Sequence, residues 1–454
     1  MERKQPRVKR AYGKRQQAKG VTLSRGRQTA GNSRSTKEEF PGKPKPGLVT
    51  FGGLLRQLAA EPTRPQCPVT LQNSPLAHLD YQAELAIKNQ ALALFWQKYR
   101  LPGKPEPVIA SPRPRHYRTT SKRKTILRGG TLYLLFNDRA LRSQKRPFVE
   151  SPLEPPEHGR IYTFLQQKLS EPAYRIVAAH LNYLIIRGGY TEQSVIFNVD
   201  TINGLLVRKL KILAEHLRKL DKPAASAYIF TDPSCSDYYL EERQPADIMQ
   251  FKKLYGKADL AVSHRGCRYF YHPTSFSQVN EAMVPVMLDM ARALLKPHRA
   301  ETLLDLYCGY GLFSHFLAPD YKGVLGIDAE GPSVRAAIAN KKSNPASRKA
   351  RFLARRITAA SIENIPLPDE PGGETILLDP PRQGPQEGVI AALCQREPRK
   401  VLHIHCSVDR IPDSFRQWKQ YGYTFRRIVP LDMFPGAAGL EVMILLEKGH
   451  RITG

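Results

Sequence analysis

A chain of 454 residues with 41% hydrophobic side chains is long enough for two or three domains, each burying its own core. No apolar run approaches a membrane span and no apolar signal-peptide core follows Met1, so a membrane protein is excluded and a soluble, cytoplasmic one expected. The net charge of +29 points to a phosphate-rich partner, because a basic field attracts polyanions and releases their counterions.

Residues 1–48 carry 14 Lys or Arg against 3 Glu, which leaves +18 on the rest of the chain. Rich in Gly, Pro and Ser, this stretch cannot bury enough apolar surface to order alone and reads as a basic, disordered arm. Residues 49–265 read as an α+β central domain. A helix is predicted over 76–101, with Tyr81, Leu85, Leu92 and Trp96 near one face. Two strands flank Gly129-Gly130, and a helix covers 161–171. A strand pair surrounds Gly188-Gly189, followed by a helix over 205–220 and a strand near 225–232. The strands of this domain are expected to run antiparallel.

Residues 266–454 have a different rhythm. Short apolar strands at 301–307, 323–328, 350–355, 375–380, 400–406, 423–431 and 440–448 alternate with helical stretches. That pattern predicts a mostly parallel, doubly wound α/β sheet, whose ligands bind beyond the carboxyl ends of the strands. The first strand runs into Asp305-Leu-Tyr-Cys-Gly-Tyr-Gly311, where glycines let the backbone turn tightly beneath a ligand. The second ends on Asp328, an acceptor suited to the two ribose hydroxyls of an adenosine. Residue 314 is Ser, so the dinucleotide pattern GxGxxG is incomplete and S-adenosylmethionine is favoured over a nicotinamide cofactor. The fourth strand opens into Asp379-Pro-Pro-Arg382. An amino-group methyltransferase would place an aromatic where Arg382 stands, which argues against adenine N6 as target.

The fifth strand ends at Cys406, on the same edge as the cofactor loops. The six cysteines at 67, 235, 267, 308, 394 and 406 lack metal-binding spacing, so no metal site is expected. A thiol at this edge suits attack on carbon 6 of a pyrimidine, which makes carbon 5 nucleophilic; a base must then remove the C5 proton. Glu441, after a Gly-rich loop, is the candidate base, and Asp432 is a candidate contact for the base edge. His405 beside the thiol is a candidate for lowering its pKa.

The motifs HLDYQAELAIKNQ (78–90), LYGKADL (254–260), FSQVN (276–280), DLYCGYG (305–311), LLDPPRQG (377–384), Cys406 and DMFP with Glu441 together resemble the RNA uracil-C5 methyltransferase family. The resemblance spans roughly residues 76–450 and implies a Rossmann-like class I methyltransferase domain at 266–454 behind an RNA-binding central domain. It implies that Cys406 is the nucleophile and Glu441 the general base, in the synthesis of 5-methyluridine in rRNA or tRNA. Gln278, Tyr307, Gly309, Asp328 and Asp379 match positions that hold S-adenosylmethionine. RNA is the implied partner, and the protein is expected to act as a monomer.

Several positions depart from the family pattern. Only Cys67 precedes HLDY, so the four-cysteine iron–sulfur motif of many members is missing, and no room exists for their N-terminal barrel. The basic arm can substitute for that barrel as a polycation without sequence readout. His405, Ser407 and Val408 flank Cys406 where Ser and Asn-Pro are usual, and Ala437 and Gly439 replace a Thr and a His. These changes bear on substrate choice more than on reaction type. Two alternatives stay open: a cytosine-C5 enzyme, although the DPPRQG loop lacks that class's second cysteine, and a non-catalytic RNA-binding relative.

Overall fold

The computed structural model describes residues 49–59, 74–136, 144–220, 224–236, 239–240, 251–368, 370 and 372–449. The basic arm 1–48 and Cys67 lie outside the described residues.

The C-terminal half is built on a seven-stranded sheet. In chain order its strands are β9 (Thr302–Leu306), β10 (Gly323–Asp328), β11 (Ala350–Ala354), β12 (Glu374–Leu378), β13 (Lys400–His405), β14 (Tyr423–Leu431) and β15 (Glu441–Lys448). Their spatial order is β11-β10-β9-β12-β13-β15-β14. The first five run parallel, while β15 pairs antiparallel with both β13 and β14. Strands β12 and β13 are buried at every position, as expected where helices cover both faces and the sequence alternates little.

Alternate residues of these strands enter two cores. On one face Leu304, Leu306, Ile376, Leu378 and Val401 pack with Trp418 and with Phe51, Leu55, Leu92, Phe95 and Trp96. Those last five lie on α1 (Phe51–Ala59) and α2 (Tyr81–Lys98), so the two N-terminal helices cover the seven-stranded sheet. On the other face Leu303, Leu377, Leu402 and Ile404 pack with Met287 and Leu288 of α6 (Val284–Leu295) and Leu317 of α7 (Leu312–Leu317). The chain between α2 and the next strand runs beside the edge strand β14. Ile109 N–H donates to Pro430 O at 2.9 Å and Asp432 N–H to Ile109 O at 3.0 Å, which pairs an edge that would otherwise stay open.

A second, six-stranded sheet has the order β2-β1-β3-β4-β5-β6. It comprises β1 (Thr120–Arg128), β2 (Thr131–Leu135), β3 (Leu181–Arg187), β4 (Ser194–Val199), β5 (Ser226–Thr231) and β6 (Phe251–Gly256). Helices α3 (Pro156–Ser170), α4 (Arg175–His180) and α5 (Gly204–Arg218) bury Leu165, Val177, Leu206, Leu210 and Leu213 against one face. The expected antiparallel arrangement fails at one pair: β4 and β5 run parallel. Helix α5 lies between them in the chain, and a crossover of that length returns the next strand in the same direction. Strand β6 and the hairpin of β7 (Leu260–His264) with β8 (Cys267–Tyr271) are short, and the sequence pattern does not announce them. Buried Arg187 of β3 anchors the loop between β8 and α6, donating to Pro273 O at 3.0 Å, Ser275 O at 2.5 Å and Ser277 Oγ at 2.9 Å.

Candidate active site

The carboxyl ends of β9, β10, β12 and β13 bring Tyr307, Gly309, Asp328, Asp379 and Cys406 to one edge of the sheet. Tyr307 and Gly309 both take positive φ, +62° and +55°, and a Cβ added at Gly309 would meet nothing within 4 Å. Open space therefore lies over this turn. Gly311 is the opposite case. At φ +85° its hypothetical Cβ would lie 2.7 Å from the His315 ring, so the helix packs too closely for any side chain.

The Asp328 carboxylate is fixed by two backbone donors, Gly309 N–H and Ala329 N–H, each at 2.7 Å. Behind the loop, buried Asp305 accepts from Ser314 Oγ at 2.5 Å, and burial pushes its carboxyl up to about 7. Burial, aided by the Asp328 charge, pushes the Tyr307 hydroxyl up to about 12. Asp379 is held by its N–H to Leu306 O at 3.3 Å. Burial first, and then the charges of Glu441, Asp305 and Asp328, raise its carboxyl well above the ordinary range. Gln278 is buried in the loop that Arg187 anchors.

Cys406 and Glu441 come from neighbouring strands of the sheet. The antiparallel ladder of β13 and β15 pairs Lys400 with Glu447 and continues without slippage to His405 with Val442. One further step sets Cys406 across from Glu441, and directly opposed residues in such a ladder stand about 5 Å apart at Cα, with side chains on the same face. Glu441 is 3% exposed, and its Oε2 has no hydrogen-bond partner. Burial pushes this carboxyl up to about 7, against the pull of Arg382. Burial likewise pushes the Cys406 thiol up to about 12, helped by the charges of Glu441 and Asp379 and opposed by Arg382. The Sγ lies 3.8 Å from Pro380 O, so the DPPR loop forms the wall beside the thiol.

Two expectations change. His405 is buried and pushed down to about 3 by desolvation, so it stays neutral and supplies no cation to Cys406. Its ring packs tilted against His403, ring centroids 3.8 Å apart, and Trp418 Nε1–H donates to His403 Nδ1 at 3.2 Å; the pair belongs to the core. Asp432 is fully buried rather than facing a base, with one oxygen 2.7 Å from Lys88 Nζ and the other accepting from Tyr81 OH at 3.1 Å. Sequence reasoning assigned Lys88 and Glu84 no role. The available signal was a charged pair one turn apart on the stripe that also holds Leu85 and Leu92.

S-adenosylmethionine fits the residues present: open space over Gly309, a fixed carboxylate at Asp328, and Tyr307 and Asp379 at the adjacent strand ends. No group of three His, Cys, Asp or Glu that could hold a metal occurs among the described residues. None of their helices is long and apolar enough to cross a membrane.

Five parallel strands, an antiparallel strand inserted before the edge, and a glycine loop with a following acidic strand end define a Rossmann-like α/β domain. Residues 235–449 match the family described as tRNA (Uracil-5-)-methyltransferase. An uncharacterized RNA methyltransferase of Chlamydia trachomatis is 28% identical over 213 residues, which cover 46% of this chain and 52% of the relative. The 23S rRNA (uracil(1939)-C(5))-methyltransferase of a Marinomonas species is 29% identical over 283 residues, 57% of this chain and 62% of that protein. These two matches thus span only between half and two thirds of the relatives' lengths. The Burkholderia ambifaria protein of the same description is 24% identical over 433 residues, covering 92% and 87%. The solved tRNA (uracil-54, C5)-methyltransferase of Pyrococcus abyssi, in complex with S-adenosyl-L-homocysteine, shares the fold. Its TM-score is 0.59 at 22% identity, over 82% of this chain and 84% of that one.

Proposed function

We propose that this protein methylates C5 of a uridine in rRNA or tRNA, with Cys406 as nucleophile and Glu441 as base. The observation that carries the proposal is the ladder register that faces the thiol with a buried carboxylate at the cofactor edge. The bound cofactor supplies an electrophilic methyl group, with Gln278, Tyr307, Gly309, Asp328 and Asp379 holding it.

Sulfur of Cys406 bonds to C6, and the electron pair displaced onto C5 takes the methyl. Glu441 then removes the C5 proton, the C6–S bond breaks, and the ring double bond returns. The thiol proton released on addition is regained on elimination, so the proton lost overall is the one from C5. With its thiol pushed up to about 12, Cys406 is held in reserve as the neutral form until a substrate base arrives between it and Glu441. Arg382, the cation that lowers both groups, assists that ionisation.

We also assign the arm 1–48 and the part of residues 49–265 built on the six-stranded sheet to RNA contact, and 266–454, with the covering helices α1 and α2, to methyl transfer, supported by the basic balance of the chain. The test is methyl transfer from S-adenosylmethionine to unmodified RNA, followed by nucleoside analysis. Formation of 5-methyluridine that disappears in Cys406→Ala supports the assignment. Formation of 5-methylcytosine instead, or RNA binding with no transfer, overturns it.

A further inference from the structure

Residues 432–440 link β14 to Glu441, and their first half is gripped by the N-terminal part of the chain. Lys88 Nζ donates to Asp432 Oδ1 at 2.7 Å, to Glu84 Oε1 at 2.7 Å and to Phe434 O at 3.1 Å. Tyr81 OH donates to Asp432 Oδ2 at 3.1 Å while accepting Ser111 N–H at 2.7 Å. Tyr117 OH donates to Pro435 O at 2.9 Å, and Leu76 N–H to Gly436 O at 3.0 Å. Gly436 N–H returns to Glu84 Oε1, whose other oxygen meets Arg115 at 3.3 Å. The side chains of Lys88 and both carboxylates have no exposure to solvent.

Buried ion clusters are poor sources of stability, because desolvation offsets their attraction, and apolar side chains of equal volume would cover this face of α2 as well. What a fully satisfied charged cluster supplies is a single geometry, since every alternative leaves a charge unpaired. The geometry held here is next to the base. Leu431 is the cross-strand partner of Glu441, and Asp432 follows it directly.

We propose that Lys88, together with Tyr81 and Glu84, is a positioning group for Glu441. It fixes residues 432–436 so that the first residue of β15 stands opposite Cys406. The inference rests on the reading of Glu441 as base, and it gives HLDYQAELAIKNQ a purpose: Tyr81, Glu84 and Lys88 of that motif are the side chains that clamp DMFP.

The test uses the full chain with Lys88→Met, Lys88→Arg and Tyr81→Phe. Lys88→Met is expected to lower kcat for RNA methyl transfer about 10- to 100-fold, the cost of a small misplacement near the chemistry. The KM for S-adenosylmethionine is unchanged, and Lys88→Arg recovers most of the rate. Hydrogen exchange of amides 433–440 becomes about tenfold faster, while that of β9 and β10 stays as in the parent. Tyr81→Phe, which keeps the ion pairs, shows a smaller loss in the same direction and serves if Lys88→Met does not fold. A folded variant with parental kcat and parental exchange at 433–440 overturns the proposal, as does a rate loss that tracks lost cofactor binding. If the parent transfers no methyl group, the reading of Glu441 as base fails, and exchange at 433–440 still decides whether Lys88 holds the loop.

Discussion

Replacing Glu441 by Gln should sharply reduce turnover and stabilise the protein, and the stabilisation should depend on pH. A carboxylate whose pKa rises on folding weakens the fold wherever it must ionise. Burial takes Glu441 from 4.5 to about 7. Below about pH 4.5 both folded and unfolded chains hold the proton, and no penalty exists. Between that pH and about 7 only the folded chain holds it, so each pH unit costs about 1.4 kcal/mol of stability. Above that window the whole difference, about 3 kcal/mol, has been lost. Gln does not ionise, and the desolvated amide costs the same at every pH. Urea or thermal unfolding of parent and Glu441→Gln at pH 5 and pH 8 should thus show a stability difference that shifts by about 2–3 kcal/mol in favour of Gln at the higher pH. Methyl transfer by the parent should rise with pH through about 7, as the base ionises, and fall about 100- to 10,000-fold in the variant. A stability difference that is the same at pH 5 and pH 8 would refute the desolvated state of Glu441, and with it the physical basis for a poised base.

The raised thiol of Cys406 predicts sluggish alkylation: at pH 8 iodoacetamide should modify it about 100- to 1,000-fold more slowly than an unstructured cysteine, read by peptide mass spectrometry. Glu441→Gln should speed that reaction, because one of the charges raising the thiol is gone; no acceleration would mean the two groups are not neighbours. At Gly311, Gly311→Ala should destabilise the fold by more than about 1 kcal/mol in thermal melts, since φ +85° and the His315 ring leave no room for Cβ. Gly309→Ala, with free space at its Cβ, should melt closer to the parent but weaken S-adenosylmethionine binding by calorimetry.

Much of this protein is legible in one dimension. The apolar strands from 302 to 448 stand out because a strand covered on both faces has no polar side to interrupt it, and β10 and β14 begin and end where the pattern places them. The glycine loop is legible for a similar reason, as positive φ at Gly309 and Gly311 favours residues without a Cβ. Chemistry-bearing residues at strand ends follow from the same local signals. Sequence alone did not determine partners that are hundreds of residues apart. The parallel pairing of β4 with β5 depends on where helix α5 crosses, and the neutral state of His405 depends on how deeply β13 is buried. Asp432 looks like a ligand contact at a strand end, and only the arrival of Lys88 and Tyr81 from α2 turns it into a buried tie. The facing of Cys406 and Glu441 is likewise a matter of register: local propensity makes each strand, but the hydrogen-bond ladder between β13 and β15 fixes which residues stand opposite.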